Sequence, residues 1–194
     1  MKWRSLFFVL AALLQLSAPA YLIERQETTL ARGQILKFKT APIDPVDALR
    51  GHYVALSFEA DRVPENLVES AGLLETARNH PVPVYATFTE DASGYATIAA
   101  LSAQKPSDPS TPFLQISLQR GWGNSPWRVD LPFNRFYMEE DSAPRADQAY
   151  RQNSGSQREA YALVAIYREN AAIKDLCIEG TPIREYLRTH PAAN

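Results

Sequence analysis

Four acidic residues and one histidine lie between residues 44 and 61, and no other part of the sequence is as well suited to acid-base chemistry. They are Asp44, Asp47, His52, Glu59 and Asp61. A carboxylate close to His52 would raise the pKa of its ring, which can produce a proton shuttle or a pH sensor. An enzyme that uses Asp44, Asp47 and His52 for acid-base catalysis is therefore one hypothesis for this chain.

Local structure explains the same residues in another way. Asp44 followed by Pro45 is a good start for a short helical turn, and Asp47 favours the positive end of that turn. Gly51 suits the left-handed exit from it. In this interpretation His52 only begins the strand that follows, and Asp44, Pro45 and Asp47 are structural caps. We favour it, and we predict no catalytic residue.

The residues needed for other kinds of chemistry are scarce. The sequence has three histidines, at positions 52, 80 and 190, and it contains neither a His-Glu-x-x-His motif nor a Cys-x-x-Cys pair. It also lacks a glycine-rich phosphate loop and a Gly-x-Ser-x-Gly motif. The sequence therefore predicts neither a metal site nor a cofactor. The only cysteine, Cys177, lies in an alternating segment and is predicted to be a small buried side chain.

Two tryptophans flank a turn that the sequence GWGNSP predicts. Trp122 and Trp127 could form an exposed edge that binds a partner, because aromatic side chains on loops often anchor such contacts. Alternatively, they cover the core beneath a hairpin.

The first 25 residues form a membrane anchor or a signal segment. Lys2 and Arg4 precede a run without charge, Ser5 to Ile23, which is nineteen residues long. A helix of that length covers about 30 Å, which is the thickness of the hydrocarbon core of a bilayer. The alternative is a secretory signal that is cleaved after Ala20, giving a soluble exported binding protein. The proline within that site and the apolar residues after it favour an uncleaved anchor.

Both alternatives predict the same compartment. Lys2 and Arg4 lie on the amino-terminal side of the apolar run, and positive charge is retained in the cytoplasm. We therefore expect a single-pass protein of the cytoplasmic membrane whose carboxy-terminal part lies outside the cytoplasm.

Residues 26–194 are expected to form one exported domain. Their number suits a single hydrophobic core, and 45% hydrophobic with 22% charged residues is typical of a globular protein. The net charge is −2, and no lysine or arginine cluster follows residue 4, so a nucleic-acid partner is not expected.

Short alternating segments dominate this region. They include Ile35 to Thr40, a segment from His52 to Glu59, and two strands joined by the turn Asp91 to Gly94. A hairpin across Glu169 to Ala171 is predicted near the end. Helices are predicted after Ser142 and after Thr181. The fold class is therefore mainly β (α+β): an antiparallel sheet domain with two or three short helices, preceded by a transmembrane helix.

The run KTAPIDPVDALRGHYVALSFEADRVP resembles the signature of the GDYXXLXY family, which are bacterial membrane-anchored proteins of unknown function. The motif positions in this sequence are Arg50, Gly51, His52, Tyr53, Leu56 and Phe58. The later segment PFNRFYMEEDSAPRADQAY and the final LCIEG are also similar to the family. The family's aspartate is His52 here and its last tyrosine is Phe58.

The resemblance implies an accessory protein that works with a multi-spanning membrane protein. Because His52 replaces the family's carboxylate, an architectural role for that position is favoured over catalysis. The leading hypothesis is therefore an anchored envelope domain that supports or recognises a membrane partner and has no catalytic activity of its own.

Overall fold

The first helix is much longer than any other element of the chain. The computed structural model describes residues 2–41, 53–108, 110–121, 127–154 and 159–190. Helix α1 (Lys2–Arg32) contains Pro19 and extends beyond the apolar run into the polar segment. At 1.5 Å per residue, its 31 residues measure about 46 Å.

Eleven strands follow among the described residues, in three sheets. They are β1 (Gln34–Lys39), β2 (Tyr53–Ala55), β3 (Arg62–Val63), β4 (Val82–Glu90), β5 (Ala96–Ser102), β6 (Phe113–Gln119), β7 (Trp127–Asp130), β8 (Arg135–Tyr137), β9 (Ala160–Tyr167), β10 (Asn170–Ile178) and β11 (Thr181–Pro182). The sheet orders are β1-β9-β10-β11, β2-β8 and β3-β7-β6-β4-β5, and all ladders between these strands are antiparallel.

Three short helices complete the described structure: α2 (Ala71–Ala77), α3 (Ala143–Ser154) and α4 (Ile183–Thr189). Two single turns of 3-10 helix, Glu59–Asp61 and Glu65–Leu67, lie between β2 and α2. The structure confirms the predicted fold class: mainly β and antiparallel, with short helices and an apolar amino-terminal helix.

Four phenylalanine rings pack together in the core, one from each of the two larger sheets and two from the segments next to β2 and β8. Phe38 of β1 packs edge-on against Phe58, Phe88 of β4 and Phe133, with ring centroids 4.9 to 5.9 Å apart. Phe58 also contacts Phe133 at 5.3 Å. Such pairs contribute about 0.5 to 1.5 kcal/mol each beyond the burial of their area. The cluster is part of a continuous core to which all three sheets contribute.

The segment predicted as a strand through Glu59 is shorter than expected. Its ladder with β8 ends at Ala55. The Leu56 N–H still donates to the Asn134 carbonyl, in the same register as the β2–β8 ladder. The chain then changes partner, because Phe58 forms a bridge to Thr40 beside β1. The alternation of side chains nevertheless continues, and Val54, Leu56 and Phe58 are all buried.

One predicted hairpin is confirmed and another is displaced by about a residue. In the β4–β5 turn, Asp91 Oδ1 accepts the N–H groups of Ser93 and Tyr95, and Gly94 has a φ of 78°. The β9–β10 turn is formed by Arg168 and Glu169, not by residues 169–171. Arg168 takes the left-handed conformation there, with a φ of 54°, although it is not a glycine.

The last turns of α1 pack on the sheet β1-β9-β10-β11. Thr29 is only 1% exposed, and its hydroxyl donates to the Arg25 carbonyl. Gly33 ends the helix where the backbone approaches β9 closely: a Cβ there would lie 2.5 Å from the Thr29 carbonyl oxygen and 3.0 Å from the Ala165 Cβ. The apolar amino-terminal segment and the β domain therefore share one helix without an intervening linker.

Candidate functional site

One concave surface of the described domain lies at the carboxy-terminal end of the family motif. It is a cleft of about 580 Å³ between the end of β1, the turn Glu59–Asp61 and the start of β5. Polar side chains around it include Lys39, Glu59, Arg62, Tyr95 and Glu159. Both signs of charge are represented, so the cleft suits a polar ligand that carries little net charge.

An ion pair lies along one wall of this cleft. Lys39 Nζ is 3.0 Å from Glu59 Oε1, and both side chains are about half exposed. An exposed pair of this kind contributes about 0 to 1 kcal/mol to stability. The two side chains therefore pair with each other while part of each remains exposed to solvent.

Tyr95 is a hydrogen-bond donor in the cleft and not a base. Burial, together with its hydrogen bond to Glu159, raises the pKa of Tyr95 to about 12. The hydroxyl therefore keeps its proton at physiological pH, and it donates a hydrogen bond to the Glu159 carboxylate. The Tyr95 ring also packs edge-on against Tyr161, at 6.0 Å between centroids, which fixes its direction.

Asp61 lies next to the cleft, but its carboxyl group accepts a hydrogen bond from the backbone of the turn. Its Oδ2 accepts the Phe58 N–H at 2.9 Å and the Ser57 hydroxyl at 3.3 Å. Burial raises the pKa of Asp61, and these two hydrogen bonds oppose that change. The carboxyl closes the turn that follows the motif, in the manner of a capping box.

The acidic side chains around the cleft already have partners. Asp91 accepts hydrogen bonds within the turn between β4 and β5. Glu159 accepts a hydrogen bond from Tyr95, and Glu59 forms an ion pair with Lys39. Across the described ranges, no three His, Cys, Asp or Glu side chains are grouped closely enough to hold a metal ion. The cleft offers donors and acceptors along an open wall, which suits an extended polar segment.

The residues of the acid-base hypothesis lie outside the described residues. They are Asp44, Asp47 and His52. The predicted cap Pro45 and the motif positions Arg50 and Gly51 also lie outside the described residues. Their roles as catalysts, caps or motif positions therefore stay predictions. Two hydrogen bonds hold Ala41, the residue before that segment: the Ala41 N–H donates to the Ser57 carbonyl, and the buried Tyr150 hydroxyl donates to the Ala41 carbonyl at 3.2 Å.

The described motif residues face two directions. Leu56 and Phe58 are core residues, whereas Tyr53 lies on the outer face of the β2–β8 ladder opposite Tyr137. The two tyrosine rings are 5.7 Å apart, and the Arg135 guanidinium lies 5.2 Å from the Tyr53 centroid. The motif thus builds both a core layer and an aromatic and cationic surface.

Two further predicted residues are buried. Trp127 is 7% exposed and packs in the core, as the alternative of a core cover describes, while Trp122 lies outside the described residues. Cys177 is buried as predicted, and burial raises the pKa of its thiol, so that it remains protonated. Sequence reasoning missed Tyr95, although it follows directly on the turn that the sequence predicted.

These observations define a class of protein: a β domain of three antiparallel sheets with an apolar helix that leads directly into it. A single helix in the described part of the chain, Phe7–Arg32, is long and apolar enough to cross a membrane. The chain belongs to the GDYXXLXY family, whose model matches residues 15–176. No curated protein and no solved structure is significantly similar to it.

Proposed function

We propose that this protein is a membrane-anchored accessory domain that recognises a membrane or envelope partner outside the cytoplasm, without catalytic activity of its own. The observation that carries the proposal is α1. Its large apolar side chains are exposed at Trp3 and from Phe7 to Ile23, whereas its last turns are part of the folded domain. A bilayer is the natural environment for such a surface.

The residues around Ala20 support an uncleaved helix. Cleavage after Ala20 would leave Tyr21, Leu22 and Ile23 at the new amino terminus, and all three are more than half exposed in the structure. A soluble exported protein would carry this apolar patch in water. In an anchored protein the same residues lie at the end of the membrane-spanning segment.

Lys2 and Arg4 support the proposed orientation. Positive residues beside a membrane-spanning helix are retained in the cytoplasm, and only two cations precede the apolar run. The β domain would then lie on the opposite side of the membrane, in the periplasm or outside the cell.

A polar residue near the middle of the apolar run supports a partner within the membrane. The Gln15 side chain is exposed and makes no hydrogen bond with the described part of the chain. Pro19, four residues later, lacks the N–H that would otherwise reach the Gln15 carbonyl. An amide in hydrocarbon is stabilised when it bonds to a neighbouring helix, which fits a helical membrane protein as the partner.

Affinity purification of the tagged full chain from gently solubilised membranes tests this proposal. We expect one membrane protein to copurify in constant proportion, and Gln15→Leu to reduce its recovery about threefold or more, since interhelical hydrogen bonds contribute about 0.6 to 2 kcal/mol. Ser17→Ala is the matched control, because the Ser17 hydroxyl already donates to the Leu14 carbonyl of its own helix.

A chain that is reproducibly monomeric, with no companion in wild type, would overturn the partner part of the proposal. Equal recovery with Gln15→Leu and Ser17→Ala would exclude Gln15 as the contact.

A further inference from the structure

Another concave surface of the described domain is a groove of about 500 Å³, which we call the basic groove. Twelve residues line it, and three of them are cations, Arg135, Lys174 and Arg184, while none is acidic. All three cationic side chains are exposed. The protein as a whole has a net charge of −2, so this groove is a local exception.

The basic groove lies beside the anchor helix. Its lining includes Gln26 of α1, which is three residues beyond Ile23, the last residue of the uncharged run. Three residues of helix span about 4.5 Å. The headgroup layer on each side of a bilayer is roughly 5 to 7 Å thick. If α1 spans the membrane as proposed above, Gln26 lies within that layer.

The path of α1 across its sheet shows which edge of the domain faces the membrane. Arg25 donates a hydrogen bond to Asn170 at the start of β10, and Gln26 lies beside the same strand. Further along, Gly33 meets Ala165 of β9, and the chain then enters β1. The helix therefore meets β10 first and β1 last, so the β10 edge with the basic groove is nearest to the lipid.

A β-bulge supplies one of the three cations. In the β9–β10 ladder, Ile173 pairs with Val164 and Asp175 pairs with Leu163, which leaves Lys174 as the extra residue. Bulges redirect a side chain from the regular alternation of a strand. Here the redirected side chain lines the basic groove.

Aromatic rings fix the other two cations and extend the surface. Arg135 lies over the Tyr53 ring at 5.2 Å, and Arg184 lies 6.0 Å from the centroid of Phe136. Tyr137 is 64% exposed beside them. Exposed tyrosine together with cations is the composition that proteins use at the membrane interface.

We propose that the basic groove binds the phosphate of an anionic phospholipid in the leaflet next to the domain. The inference rests on the proposed anchoring by α1 and adds a ligand class and a site. Arg135, Lys174 and Arg184 would hold the phosphate oxygens, and Tyr137 would pack against the glycerol region. Motif residue Tyr53 acts here as a positioning residue, because it packs against Arg135 and Tyr137.

Lipid retention by the full chain in nonionic detergent tests the inference. The protein is incubated with mixed micelles that contain either phosphatidylglycerol or phosphatidylcholine, and bound lipid is measured after gel filtration. We expect wild type to bind phosphatidylglycerol preferentially. The double variant Lys174→Gln/Arg184→Gln should weaken that binding by about fivefold for each cation removed.

The double variant Arg78→Gln/Arg120→Gln is the matched control, because it removes the same charge from exposed positions that do not line the groove. It should bind phosphatidylglycerol as wild type does. Lys174→Arg should also retain binding, which separates the loss of charge from damage to the bulge. A melting temperature in lipid-free detergent checks that each variant is folded.

Equal binding of the two lipids by wild type, or equal weakening by both double variants, would overturn the inference. Unchanged lipid binding with loss of a copurifying protein in Lys174→Gln/Arg184→Gln would assign the groove to an acidic protein surface instead. None of these outcomes bears on anchoring itself, which depends on α1 and is measured by membrane retention.

Discussion

The two parts of α1 face different surroundings although they form one continuous helix. From Phe7 to Ile23 its large apolar side chains are exposed, and no part of the described chain covers them. From Arg25 to Arg32 the helix packs on a sheet, with Thr29 buried and Gly33 in tight contact with β9. The comparison shows that one helix can combine an exposed apolar segment with a part that packs in the domain, so the direction of the exposed segment is fixed relative to the domain.

The largest expected difference in the free energy of unfolding is between truncation of a core side chain and truncation of a side chain on the exposed part of α1. Phe58→Ala removes a ring at the junction of the sheets and should lower the free energy of unfolding by about 3 to 5 kcal/mol. Leu14→Ala, on the exposed part of α1, should change it by less than about 0.5 kcal/mol. Urea unfolding of the full chain in detergent, followed by circular dichroism, measures both.

A similar loss in both variants would show that the apolar part of α1 packs against the domain, which would contradict the division of the helix. Loss in neither variant would mean that the motif segment contributes little to the core.

An intermediate effect is expected at the end of α1. Gly33→Ala places a Cβ 2.5 Å from the Thr29 carbonyl oxygen, a backbone atom that cannot move aside without shifting the helix. Overpacking of this kind costs about 1 to 3 kcal/mol. The melting temperature should fall, and protease cleavage near residues 25–33 should become faster.

Gly72→Ala is the matched control for that substitution. In α2, a Cβ at this position meets only the Ser70 hydroxyl, at 3.7 Å, and alanine favours a helix by about 1 kcal/mol over glycine. We expect no loss or a small gain of stability. If Gly33→Ala were as stable as Gly72→Ala, the close approach of α1 to β9 would be refuted.

The smallest expected effect is a pH dependence at the turn after the motif. Burial raises the pKa of Asp61 above that of an unfolded aspartate, so the folded state holds its proton more tightly. The carboxyl's contribution to stability is then full below the ordinary aspartate pKa and declines as the pH rises through the raised value. The stability of wild type relative to Asp61→Asn should decline in the same window.

Denaturant unfolding of both proteins at several pH values between about 3 and 7 measures this difference. A relative stability that rises with pH would mean that the hydrogen bonds from Phe58 and Ser57 outweigh burial, and that the pKa of Asp61 is lowered.

Local features of this fold could be predicted from the sequence, whereas contacts between distant segments could not. The turn at Asp91 to Gly94 follows from residue types that accept a positive φ, and β1 follows from its alternation. The change of partner between Leu56 and Phe58 could not be predicted, because it depends on Asn134, which is 78 positions after Leu56, and on Thr40 beside β1.

The same limit applies to the two concave surfaces. Several acidic residues are close together in the sequence at residues 44–61, and this pattern suggested a site there. The described cleft is instead formed by Glu59 together with Tyr95 and Glu159. The basic groove depends on a bulge at Lys174, which is a property of the pairing of β9 and β10. Single-sequence patterns carry no information about such pairing of distant strands.

The central claim is that residues 5–23 remain attached and span a membrane while the same helix continues into the β domain. The intact mass of the native protein, recovered from membranes after alkaline extraction, tests it most directly. We predict that the protein stays in the membrane pellet with a mass that includes residues 2–20. A species that begins at Tyr21 and is released into the soluble fraction would contradict it.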